Sequence, residues 1–127
     1  MQPISDELRR FVRAHFRSIL QLETLLVLAR SPDRWWTPQE LNLELRSSVQ
    51  TTATQLERLS TSGLAETESG SGRFRYRPQS DATQSLVDNL ISLHKLRFHA
   101  LVELIYRSKA QEFADAFKLK KGKEEEE

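Results

Sequence analysis

Between Val49 and Thr61 the sequence VQTTATQLERLST places Gln50, Thr51, Thr54, Gln55, Arg58 and Thr61 on one side of a helix drawn at 100° per residue. Glu57, at the edge of that side, is its only acid. Amide, hydroxyl and guanidinium groups donate to base edges and phosphate oxygens in a major groove. An ordinary solvated face more often mixes Glu with Lys. The opposite side, Val49, Thr52, Ala53, Leu56, Leu59 and Ser60, is expected to be buried. Ser47 or Ser48 caps this helix, Ser48 being a further DNA-contact candidate, and Thr37 stands at a helix start whose free N–H groups could seat a phosphate. Thr37 is equally well accounted for as a cap alone.

A second basic feature follows. In RFRYR, the residues Arg73, Arg75 and Arg77 alternate with Phe74 and Tyr76, as in a strand with one basic and one apolar face. Arg73 and Arg75 are candidates for flanking phosphates or a minor groove. Glu66 and Glu68 on the preceding strand are competing partners across the hairpin.

Other chemistry finds little support. His15, His94 and His99 are scattered, and the five-residue spacing of the last two turns them about 140° apart on a helix. No metal site is expected, and no cofactor. There is no cysteine, hence no disulfide or thiolate site. Catalytic motifs are absent, with no GxSxG, HExxH or glycine-rich strand-to-helix loop, so an enzyme is not expected.

The elements that must hold these residues are marked by punctuation. Ser5 with Asp6 and Glu7 opens a helical pattern that runs to Arg30, as one bent helix or as two divided near Arg17 and Ser18. Ser31-Pro32-Asp33 ends it, and Trp35 to Thr37 is a short extended piece in which one Trp should be buried and one partly exposed. Thr37-Pro38 with Glu40 spells a capping box for a helix to about Leu45. The helix from Val49 runs to about Ser62, with Gly63 as its left-handed terminator. Strands at Leu64–Glu68 and Arg73–Arg77 flank a Ser-Gly-Ser-Gly tip.

A long helix is expected from about Asp81 to Arg107. Val87, Ile91, His94, Phe98, Leu101 and Ile105 form an apolar stripe on it that a second copy could cover. A short helix from Ala110 to Leu119 and a charged, solvated tail over 120–127 close the chain. The implied organisation is an N-terminal helix extension over 1–17, a central unit over 18–79, C-terminal dimerisation helices over 80–119, and the tail.

The 127 residues suffice for one core. Net charge is +1, and without the last ten residues fifteen basic face fourteen acidic residues. That balance is low for a dedicated nucleic-acid binder, which commonly has a domain pI above about 9. No apolar run approaches the roughly 18 residues of a membrane span, and the amino terminus has no signal-peptide pattern; a cytoplasmic protein that does not contact membranes is expected.

With those elements in order, Leu22 to Pro78 resembles the winged-helix domain of bacterial MarR-like and ArsR-like transcriptional regulators. The residues that carry the likeness are LETLLVLARSPDRWWTPQEL, LERLSTSGLAE and RFRYRP, and the Leu56, Leu59, Gly63, Leu64 junction is its most specific part. The resemblance implies a mostly α, winged helix-turn-helix fold with a small β-hairpin wing. It implies Val49–Ser62 as recognition helix, Arg73 at the wing tip, and a homodimer on double-stranded DNA. The near-neutral charge and the single Arg of the recognition helix depart from the family. The alternative is a winged helix that binds a signalling or transcription protein without DNA.

Overall fold

A computed structural model describes residues 4–107; the helix expected at 110–119 and the tail lie outside them. The N-terminal helical pattern resolves into two helices, α1 (Asp6–His15) and α2 (Ile19–Arg30). The break has two causes. Ser18 turns extended and caps α2 by accepting from the Gln21 N–H, and Gln21 bridges the corner with its side chain. Its amide donates to the His15 carbonyl at 2.6 Å and accepts from the Arg17 N–H at 3.0 Å, so the polar groups freed by the break are paired.

α2 is apolar around most of its circumference and runs through the centre. Leu22, Leu25 and Leu28 are fully buried there, and the Thr24 hydroxyl donates to the Leu20 carbonyl. α3 (Pro38–Leu45) begins with the capping box: Thr37 Oγ1 accepts from the Glu40 N–H while the Glu40 carboxylate accepts from the Thr37 N–H, each at 3.1 Å. Arg46 then adopts a left-handed conformation at φ 55°, turning the chain into α4 (Val49–Thr61), which Ser48 caps. Asn42 fixes this turn, its Oδ1 accepting from the Ser47 N–H and the buried Thr52 hydroxyl.

Gly63 at φ +81° ends α4 in a Schellman motif, with the Leu64 N–H donating to the Leu59 carbonyl. The hairpin pairs β1 (Ala65–Thr67) antiparallel to β2 (Phe74–Tyr76), setting Glu66 opposite Arg75. Trp36 adds a one-residue third strand on the other edge of β2 by exchanging both backbone hydrogen bonds with Phe74 at 2.8 Å. The Tyr76 hydroxyl donates to Gln84 of the following helix; burial first, and the Asp88 charge second, push its pKa up to about 12.

The long helix departs from expectation. α5 (Asp81–Leu96) stops at Arg97, whose backbone leaves helical geometry, and a sixth helix, α6, occupies 98–107. The bend lets Leu101, Leu104 and Ile105 join the same core as Leu8, Val12, Leu56, Val87 and Leu90. A straight continuation would follow the direction of α5 instead. One core thus runs from α1 to α6, and the architecture is a winged helix-turn-helix with added helices at both ends.

Candidate nucleic-acid interface

α3, the Arg46 turn and α4 form the helix-turn-helix, with α4 held against α3 and α2 by Leu41, Leu56 and Leu59, all fully buried. The outward side of α4 presents Gln50, Arg58 and Thr61 to solvent, with Thr51 and Thr54 half-buried beside them. The Thr51 hydroxyl accepts from the Ser48 hydroxyl at 2.8 Å, and the Thr54 hydroxyl donates back to the Gln50 carbonyl. Among the described residues neither Gln50 nor Arg58 has a side-chain hydrogen bond or ion pair.

Two residues of α4 exchange roles relative to expectation. Gln55 is only 7% exposed, because Thr52 one turn before it and Leu59 one turn after it are both in the core and draw it inward. Its Oε1 is buried without a hydrogen-bond partner. Gln55 is therefore not part of the outward face. Val49 is 41% exposed, since the core closes at Thr52 and leaves the first residue of α4 beyond it. The solvent-facing set is Val49, Gln50, Thr51, Thr54, Glu57, Arg58 and Thr61.

The wing arginines are paired. The Arg73 guanidinium lies 2.9 Å from Glu68, Arg75 is ion-paired and hydrogen-bonded to Glu66, and the other Glu66 oxygen lies 3.5 Å from Arg77. Arg75 also stacks over the half-buried Trp35 ring at 4.5 Å. Trp36 is the buried member of the pair, 3% exposed, with Arg34 over its ring at 3.6 Å. The exposed Arg73–Glu68 pair contributes little stability, but together the carboxylates cancel two of the wing's three positive charges. Thr37 is used by its capping box, as is Ser48 by the cap of α4.

Beside α4 a hollow of about 620 Å³ separates its Thr54, Arg58 and Thr61 from His15 and Gln21 at the α1–α2 corner. His15 Nδ1 is buried without a partner, and burial lowers the pKa of the ring. Nothing in the sequence signals this juxtaposition, because its two sides lie on elements far apart in the chain.

The stripe expected to face a second copy is divided. Val87 on α5, and Leu101 and Ile105 on α6, which the bend at Arg97 folds inward, are buried within the chain itself and offer no surface. Ile91 and His94 are half-buried and Phe98 is 44% exposed. His94 Nε2 lies 2.8 Å from Glu23 of α2, and its ring meets Phe98 edge-on at 5.1 Å. Leu26, Arg30, Ile91, His94 and Lys95 line a hollow of about 520 Å³ between α2 and α5, and Leu96, next in the chain after Lys95, is 77% exposed. Leu96 falls outside the apolar stripe of a straight helix, so the spacing gives no sign of it.

Among the described residues no group of three or more His, Cys, Asp or Glu could hold a metal ion. Among them, too, no helix is long and apolar enough to cross a membrane. No family model matches the chain, and no curated protein matches it. A solved structure described as a possible transcriptional regulator from Methanosarcina mazei Go1 is similar at a TM-score of 0.41 and 17% identity, over 89% of this chain and 85% of that one.

Proposed function

We propose that this chain is a DNA-binding transcriptional regulator that acts as a homodimer, with α4 in the major groove and the wing along the flanking backbone. The observation that carries the reading is the outward face of α4. A helix-turn-helix presents amide, hydroxyl and guanidinium groups there with one acid, Glu57, and leaves Gln50 and Arg58 without partners among the described residues. Ile91, His94, Leu96 and Phe98 are the exposed or half-exposed groups that a second copy would cover, pairing two recognition helices for successive major grooves.

A second reading has its own support. With Glu66 and Glu68 neutralising the wing, the hairpin suits contact with a protein partner as well as with a phosphate backbone. Titration of wild type and Arg58→Ala against mixed genomic duplexes separates the two. The DNA reading expects wild type to bind and the variant to bind more weakly. Equal behaviour of both proteins contradicts it.

A further inference from the structure

We infer that α4 recognises a half-site centred on A·T pairs, with Val49 against a thymine methyl and Gln50 on an adjacent adenine. This rests on the DNA-binding reading above and adds to it the class of sequence recognised. In a helix-turn-helix the first residues of the recognition helix reach the base edges. Here they are Val49, Gln50 and Thr51.

Val49 is an exposed apolar side chain at the first position of α4, about 100° round the helix from Gln50 and uncovered because the core closes at Thr52. The apolar group that base edges display in the major groove is the C5 methyl of thymine. Gln50 is exposed and its amide has no hydrogen bond among the described residues, so it offers one donor and one acceptor together. That pair matches N7 and the N6 amino group of adenine. Thr51 is tied to the Ser48 cap and adds no guanine-specific contact.

Guanine is most often read by a bidentate Arg or Lys. On α4 the guanidinium belongs to Arg58, nine residues beyond Val49 and so about 13 Å further along the axis. Arg46 precedes the cap, on the turn. Both are placed for phosphates, which carry no sequence information. The leading turn of α4 therefore discriminates through one methyl contact and one amide pair.

The experiment is selection of bound sites from a random duplex library with the full chain, followed by replacement of each selected thymine with deoxyuridine, which lacks only the methyl. The expected result is a half-site with A·T pairs at its centre. One deoxyuridine should weaken wild type about fourfold, the worth of one buried methyl, and weaken Val49→Ala less, since alanine keeps only part of the methyl contact. Selected half-sites centred on G·C, or equal binding of thymine and deoxyuridine duplexes by wild type, overturn the inference while leaving DNA binding intact. Failure to bind any duplex overturns the DNA reading and this inference with it.

Discussion

The Arg73 guanidinium lies 2.9 Å from the Glu68 carboxylate at the base of the wing tip. With Glu66 serving both Arg75 and Arg77, the hairpin that would be a positive arm carries a net charge of one. Relieving these carboxylates should expose the arginines. Glu66→Gln with Glu68→Gln is expected to tighten DNA binding and steepen its dependence on salt by up to about two phosphate contacts. Fluorescence anisotropy at several salt concentrations measures both; unchanged affinity and slope would place the wing off the DNA.

The start of α3 depends on Thr37, whose hydroxyl accepts from the Glu40 N–H. Thr37→Ala should lower stability by about 1 kcal/mol, and Thr37→Asp should keep most of it. Hydrogen bonds from Thr37 hold the exposed Glu40 carboxyl below its usual pKa. Chemical denaturation of the two variants checks the assignment. An alanine variant as stable as wild type would argue against a capping role.

Gly63 takes φ +81°, and a Cβ placed there would meet Gln79 Oε1 at 2.5 Å. Gly63→Ala should cost about 1–2 kcal/mol for the left-handed backbone alone, plus the contact. Adding Gln79→Ala should recover the contact part only. Full recovery in the double variant would show that backbone conformation is not what selects glycine.

His15 has a pKa lowered by burial, so the fold favours its neutral ring. The unfolded chain then binds more protons in the window just below the ordinary value of 6.5, and stability rises with pH there. The contribution is fully present above 6.5 and is lost as pH falls toward the folded value. Urea midpoints at about pH 7.5 and about pH 5.5 should differ more for wild type than for His15→Gln. Equal differences would remove His15 as the source.

Phe98 is 44% exposed and stacks edge-on with His94. Sedimentation should give a species near twice 14.7 kDa, and Phe98→Glu should halve it. A wild-type monomer at micromolar concentration contradicts the homodimer.

The helix-turn-helix was legible in the sequence because its signals are local. The caps at Thr37 and Ser48, the Pro after Thr37 and the glycine after α4 act within a turn of where they stand. The break at Arg97 was not, because no Gly or Pro marks it and apolar spacing continues through it. That bend is a tertiary effect, set by where Leu101 and Ile105 find the core. The α4 face was legible to within its edges: Gln55 went inward and Val49 outward, where a helical wheel cannot show where the core ends. The wing's partners were visible as alternating charges, but only the register that sets Glu66 opposite Arg75 decides between salt bridge and phosphate contact.

Retention of fragments from the source genome by the purified chain, followed from about 50 to about 200 mM salt, tests the central claim most directly. The account predicts a discrete set of retained fragments whose affinity falls linearly in log–log form with salt and weakens further in Arg58→Ala. No retention at the lowest salt, or retention indifferent to salt, would contradict it.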